Sequence, residues 1–285
     1  MKSDNIDESL NLSNVTTEIS KTSEYSNDIL KPDPGLLSLA CTNARSVVEK
    51  VDSLVTLFEE YDLHFALLTE TWLTTKVCST RRMMDLTIGA NISFIRRDRG
   101  RRGGGVAIAY NPLKIKLKKF PVGGEPGTEI VCATGNTPLS KRKIALISVY
   151  IPPSVSGPAL DSYVYTLVEL MDNIKIKFPD ALIFLGGDFN RKEMDRFCTA
   201  FPDMRPIEAG ATRRGHALDE VYTNTVEMVQ EKVVIGPLTK KNGVRSDHDI
   251  IVATVRIPKQ KRVKTSMFSF RPITKKRRRQ VWGFT

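Results

Sequence analysis

Long apolar runs are missing from this chain of 285 residues. The longest, such as Ala181–Gly187, are near seven residues, whereas a membrane span needs roughly 18–20. A spanning helix is thereby excluded, and no membrane partner is expected. Residues 1–35 are polar and acidic where a secretory signal would place its apolar segment, so none is read there. Cysteine is scarce: Cys41, Cys78, Cys132 and Cys198 form no C-x-x-C pair and no short spacing. Buried free thiols in a reducing compartment fit this better than a disulfide or zinc framework. No internal repeat is visible.

Acids are outnumbered. Lysine and arginine total 43 against 32 aspartates and glutamates, a net charge of +11 that points to a polyanionic partner. The excess is unevenly spread. Residues 1–35 carry three lysines and seven acids, a net −4, and read as a disordered acidic leader ending at Pro32-Asp33-Pro34-Gly35. Residues 258–285 hold ten basic residues and no acid, a basic tail expected to be disordered. Within it, Lys275-Lys276-Arg277-Arg278-Arg279 reads equally as a nuclear import signal, a nucleic-acid contact or a solvated tail. Between them, 36–257 is a single domain of net +5. With 41% apolar residues overall, the chain can bury a sizeable core, which excludes full-length disorder.

The domain reads as short strands with few helices. Gly35–Ala40 and His64–Thr69 are apolar runs consistent with buried strands. Between them, Val47, Val51, Leu54, Val55 and Phe58 share one helical face. Residues 92–97, 105–110, 114–120, 129–133 and 143–150 are further β-rich runs broken by glycine and proline. A helix is expected between Pro158 and Phe178, then strands at Leu182–Leu185 and Ile250–Ile257 around a loopier last third. Strict βαβ alternation is absent, so the fold class is an α+β sandwich and not a doubly wound sheet.

Polar residues stand where these strands stop. Leu36–Cys41 runs into Thr42-Asn43, His64–Thr69 into Glu70, Ile144–Val149 into Tyr150, and Leu182–Leu185 into Gly186-Gly187-Asp188-Phe189-Asn190. Asp219 follows His216-Ala217-Leu218, and Ser246-Asp247-His248 precedes the last strand. Each alone is ordinary: an Asp or Asn after a strand is usually a turn, and a Tyr there is usually packing. Six such sites that include an Asp–His pair call for a shared cleft. There, Glu70 with Asp247 or Asn43 could hold a hard cation such as Mg²⁺, with Mn²⁺ as a substitute. Asp188 could orient or deprotonate a water, while Asn190 and Tyr150 offer donors to phosphate oxygens. His248, if Asp219 accepts its other ring proton, would be an oriented cation opposite developing charge. The candidate catalytic set is therefore Asn43, Glu70, Tyr150, Asp188, Asn190, Asp219, Ser246, Asp247 and His248.

Arg96, Arg97, Arg99, Arg101 and Arg102 crowd together before Gly103-Gly104-Gly105. They read as a phosphate-tracking loop, against the plainer reading of a solvated turn. No Gly-Lys-Ser/Thr follows the glycines, which excludes a P-loop; they suit a tight entry into the next strand. Thr212, Arg213 and Arg214 make a second candidate DNA-binding loop. His216 reads as solvent-facing, His64 as packed, and Trp72 as an anchor behind Glu70.

Asn43-Ala44-Arg45-Ser46, Leu68-Thr69-Glu70-Thr71-Trp72-Leu73, Gly103–Ile108, Ser148–Pro153, Gly187–Asn190, Leu218-Asp219 and Ser246-Asp247-His248 together resemble the endonuclease/exonuclease/phosphatase superfamily. More narrowly they resemble the apurinic-endonuclease-like domain of non-LTR (LINE-type) retrotransposons, in family order across roughly 36–257. The resemblance implies a four-layer α/β/β/α, DNase-like sandwich of two packed sheets. It implies Mg²⁺-dependent nicking of DNA to 3′-hydroxyl and 5′-phosphate ends. It assigns Glu70 and Asp247 to metal, Asp188 and Asn190 to the nucleophile, and Asp219–His248 to catalysis. In that family the nick primes reverse transcription, with element RNA or a separate reverse transcriptase as partner and the nucleus as location. No Tyr-x-Asp-Asp sequence occurs here, so an isolated or truncated endonuclease, acting as a monomer, is expected. Abasic-site repair, a lipid phosphatase and a silent DNA-binding remnant are the competing readings.

Overall fold

The computed structural model describes residues 35–74, 90–100, 103–124, 127–137, 142–190 and 194–257. The acidic leader apart from Gly35, the basic tail, Cys78, Arg101 and Arg102 lie outside the described residues. β1 (Leu36–Asn43) leads through a 3-10 turn at Val48–Lys50 and helix α1 (Val51–Glu60) to β2 (Phe65–Thr69). Next come β3 (Ser93–Arg97), β4 (Val106–Tyr110), β5 (Lys116–Phe120), β6 (Glu129–Asn136) and β7 (Lys143–Tyr150). Helix α2 (Pro158–Lys177), β8 (Leu182–Asp188), helix α3 (Asp195–Ala200), β9 (Arg205–Pro206), β10 (Asp219–Thr223), β11 (Val229–Ile235) and β12 (Ile250–Arg256) complete the domain.

The strands form two six-stranded mixed sheets, ordered β11-β12-β1-β2-β4-β3 and β5-β6-β7-β8-β10-β9. Each has one parallel pair, β1 with β2 and β7 with β8, joined through α1 and α2 respectively. Alternation along a strand sends successive side chains to opposite faces, and here both faces are covered. Leu37, Leu39 and Cys41 of β1 meet Leu182 and Phe184 of β8 between the sheets. Ala40 faces α1, while Ile183 and Leu185 face α2 and α3. Double-sided burial is why β1, β2 and β8 read as unbroken apolar runs. Helix, sheet, sheet and helix thus make four layers, which agrees with the α+β reading and with the sandwich that the resemblance implies.

Three departures from the sequence reading stand out. The helix with Val47 to Phe58 on one face begins as the 3-10 turn, because Lys50 folds back under the preceding loop. Its buried ammonium donates to Ala44 O (2.6 Å), Arg45 O (2.7 Å) and Ser46 O (3.3 Å). β8 runs three residues beyond Leu185. The last third holds β9, β10 and β11, hidden in sequence because β9 has two residues, β10 opens on two acids, and β11 is an edge strand with mostly exposed residues.

Cys41 and Cys132 are buried free thiols, and burial pushes both above the ordinary thiol range. His64 is buried as the sequence suggests, its Nδ1 accepting the Ser38 N–H at 3.1 Å. Burial, assisted by Lys114, lowers it to about 4. Between that value and the ordinary 6.5, the unfolded chain takes up a proton that the folded chain refuses, so stability falls as pH drops through this window. Going from about pH 7 to about pH 5 is expected to cost about 2 kcal/mol through this residue. Urea unfolding of wild type and His64→Gln at both pH values checks it: the variant's curve should be flatter by that amount.

Candidate active site

Register brings the strand ends together. Asn43 pairs with Thr69 in one sheet, Tyr150 with Asp188 and Asp188 with Asp219 in the other. Gly187 permits the β7–β8 part of this alignment, since a Cβ there would lie 1.8 Å from Val149 O on the neighbouring strand. Only a residue without a side chain lets the sheet stay paired up to Asp188.

Asp188, Asp219, His248 and Asn43 are all buried. Asn43 Nδ2 donates to Asp188 Oδ2 at 2.8 Å, bridging the two sheets, and Asn190 N donates to Asp188 Oδ1 at 3.0 Å. His248 Nδ1 lies 2.6 Å from Asp219 Oδ2, and its Nε2 lies 4.0 Å from Asp188 Oδ2. Ser246 Oγ donates to Asn43 O at 2.8 Å, which ties the segment carrying His248 to the end of β1. Burial, reinforced by the Asp219 charge, raises the Asp188 carboxyl to about 7, against the opposing Asn43 hydrogen bond. For His248, burial works downward, but the Asp219 hydrogen bond and charge outweigh it and leave the imidazole above its ordinary value. Two buried acids beside one histidine can hold and exchange a proton.

Glu70, half-buried at φ 45°, accepts from Tyr150 OH (2.5 Å) and Trp72 Nε1 (3.1 Å). Burial and that bond keep the Tyr150 hydroxyl protonated, well above the usual tyrosine range. No lysine or arginine among the described residues pairs with Glu70. Asp247 differs: Arg45 at 3.2 Å and Arg213 at 2.5 Å flank it. Burial would raise its carboxyl, yet the two guanidiniums hold it below the ordinary range.

Neither a family model nor a curated protein matches this sequence. Solved structures do match. TDP2 of D. rerio complexed with single-strand DNA product is similar at TM-score 0.58 and 14% identity, over 77% of this chain and 98% of that one. The AP endonuclease LMAP from Leishmania major gives 0.57 and 15%, over 80% and 90%. The endonuclease domain of TRAS1, a telomere-specific non-LTR retrotransposon, gives 0.53 and 15%, over 78% and 100%. A Bacteroides thetaiotaomicron endonuclease/exonuclease/phosphatase family protein gives 0.56. The chain has the endonuclease/exonuclease/phosphatase fold. At these identities the likeness is one of fold.

Within that fold, all nine candidate catalytic residues lie at the strand ends or in the loops directly joined to them. The two expected to donate to phosphate oxygens spend side-chain donors inside the protein: Tyr150 on Glu70, and Asn190 Nδ2 on Ile151 O at 3.0 Å. The DNA-binding candidates divide. Arg214 is exposed, Arg213 engages Asp247, and Arg96 pairs with Asp98 at 3.5 Å. Thr212 is fully buried, its hydroxyl accepting from Leu218 N (3.2 Å) and Asp219 N (3.1 Å), so it shapes the loop behind Asp219 instead of facing a ligand. Arg99 is turned inward onto buried Glu129. Arg45, which supports Asp247, and Glu129 escape a sequence reading, since their partners are distant in the chain. His216 is exposed, as expected.

A cation would find oxygen donors here. Glu70 is a carboxylate with no basic partner among the described residues, Asn43 Oδ1 is an amide oxygen that also accepts Arg45 N at 3.1 Å, and Asp219 Oδ1 is buried without a hydrogen-bond partner among the described residues. Single ligand atoms of Asp188, Asp219 and His248 also lie within 4.8 Å of one another. That cluster differs from the Glu70, Asn43 and Asp247 set read from sequence, and its Asp219–His248 edge is already closed by a hydrogen bond.

Proposed function

We propose that this chain is a divalent-metal-dependent DNA endonuclease that hydrolyses a phosphodiester to 3′-hydroxyl and 5′-phosphate ends. The carrying observation is the buried Asn43–Asp188–His248–Asp219 array beside Glu70, a carboxylate with no basic partner among the described residues. The DNA product held by the similar TDP2 structure, and the similar AP endonuclease and retrotransposon endonuclease domain, support the choice of DNA as substrate. A retrotransposon origin rests on the Asn43–Ser46 and Thr69–Leu73 motifs and on the TRAS1 likeness.

Asp188 would take a proton from the attacking water, its two oxygens held in orientation by Asn43 and Asn190. His248, aimed by Asp219 and favoured by it in the protonated form, presents Nε2 4.0 Å from Asp188 Oδ2 and would stabilise charge developing on a phosphoryl group bound against both residues. Glu70 with Asn43 and Asp247 would hold Mg²⁺ or Mn²⁺, which when bound polarises a phosphoryl oxygen and offsets charge on the leaving oxygen.

Purified chain is expected to convert supercoiled plasmid to nicked circles in millimolar Mg²⁺, and not in chelator. Equal conversion in chelator would remove the metal from the proposal, and no conversion with retained binding would make the chain a DNA-binding module. A duplex bearing one abasic site is expected to be cut no more than about tenfold faster than an intact one, about 1.4 kcal/mol of discrimination. A much larger preference would transfer the reading to repair.

A further inference from the structure

Five arginines between Ile95 and Gly103 look interchangeable in sequence, but Arg99 is turned onto a buried glutamate. Its Nε donates to Glu129 Oε1 at 2.7 Å, and its terminal nitrogen also pairs with that oxygen. The Glu129 side chain is almost fully buried, and its other oxygen accepts the Gly105 N–H. Glu129 opens β6 in one sheet, while Arg99 and Gly105 flank a loop between strands of the other. One carboxylate therefore fastens the two sheets at the end that carries the site. Gly104 makes room for this pair: at φ 68°, a Cβ there would meet Arg99 Nε and Glu129 Oε2, each at 2.5 Å.

From that fastening, two routes lead to Glu70. Trp72 N donates to Gly104 O at 3.0 Å and Thr71 N to Gly105 O at 3.2 Å, which fixes the segment after Glu70. In it, Glu70 and Trp72 both hold left-handed backbone, at φ 45° and 55°, a conformation that non-glycine residues keep only when surroundings enforce it. The second route is the Arg99 guanidinium, 5.8 Å from the centroid of the Tyr150 ring whose hydroxyl donates to Glu70. Both oxygens of Glu70 thus take their direction from groups that the Arg99–Glu129 pair holds in place.

We propose that Arg99 and Glu129 are positioning residues that hold Glu70 in its cation-binding orientation, and that Arg99 is not a DNA-phosphate contact. The inference rests on Glu70 being a metal ligand. Outer partners that orient a ligating carboxylate typically carry 10–100-fold of metal affinity.

The test is Mn²⁺ binding to the full chain without DNA, followed by electron paramagnetic resonance. Arg99→Ala and Glu129→Ala are each expected to weaken Mn²⁺ about 10–100-fold, the double variant no more than the worse single, and Arg99→Lys less than Arg99→Ala. In chelator, Arg99→Ala should bind duplex DNA within about twofold of wild type, with an unchanged salt slope. Should an alanine variant fail to melt cooperatively, Glu129→Gln, which keeps an acceptor for Gly105 N, carries the same expectation. Unchanged Mn²⁺ affinity in folded variants overturns the positioning role alone. So does a reduced salt slope for Arg99→Ala. Wild type that binds no Mn²⁺ overturns the metal-site reading, and this inference with it.

Discussion

Asp188→Asn is expected to lower the rate of plasmid nicking by about 10³-fold while leaving the fold and DNA affinity intact. A positioned general base contributes roughly 10²–10⁴-fold, and an amide cannot accept the proton. Asparagine matches the shape of the carboxylate, so the substitution tests chemistry, not packing. Its stability cost should be small for a physical reason. The wild-type carboxylate is buried beside Asp219, an arrangement that penalises its charged form. Removing that charge offsets the hydrogen bond lost when an amide N–H₂ faces either Asn43 Nδ2 or Asn190 N. Thermal melting within about 1 kcal/mol of wild type, together with the rate loss, is the expected pair of results. A rate within tenfold of wild type would remove Asp188 from the chemistry.

The second large effect belongs to Asp219 and His248 as a unit. His248→Ala and Asp219→Asn are each expected to slow nicking about 10²–10³-fold, and the double variant to be no slower than the worse single. Groups that act together lose their function together. The 2.6 Å contact between His248 Nδ1 and Asp219 Oδ2 leaves only Nε2 to face Asp188, so an imidazole without Asp219 loses its direction and the main support for its protonated form. Asp219 is also held from behind, because Thr212 Oγ1 accepts the N–H groups of Leu218 and Asp219. Removing one member of a buried ion pair costs about 3–5 kcal/mol of stability. Rates are therefore to be compared well below each variant's melting temperature. Losses that multiply in the double variant would show two independent residues in place of one device.

Why the strand ends could be read from sequence, and the support around them could not, follows from how each is encoded. β1, β2 and β8 announce themselves because both of their faces are buried, so the residue that ends the apolar run is conspicuous. Asn43, Glu70 and Asp188 were legible on that ground. β10 was not, because its first two residues, Asp219 and Glu220, look like loop, and pairing with β8 rather than composition makes them a strand. The arginine cluster shows the opposite failure. Five equal-looking charges suggested one shared role, yet Arg99 answers to a buried glutamate 30 positions later, a pairing that no local pattern carries. Thr212 likewise stood in a basic loop, and only its two backbone partners reveal that it faces inward. Local pattern records which residues sit at a cleft. Contacts between distant segments decide which of them face the ligand.

In the proposed mechanism the buried strand-end array, and not the basic surface, cuts DNA. One measurement bears on it most directly: nicking of supercoiled plasmid in Mg²⁺ by wild type and Asp188→Asn side by side, with the new ends assayed for polymerase extension. The expected result is nicking by wild type only, at 3′ ends that a polymerase extends without prior treatment. Equal nicking by both proteins, or ends that a polymerase cannot extend, would contradict it.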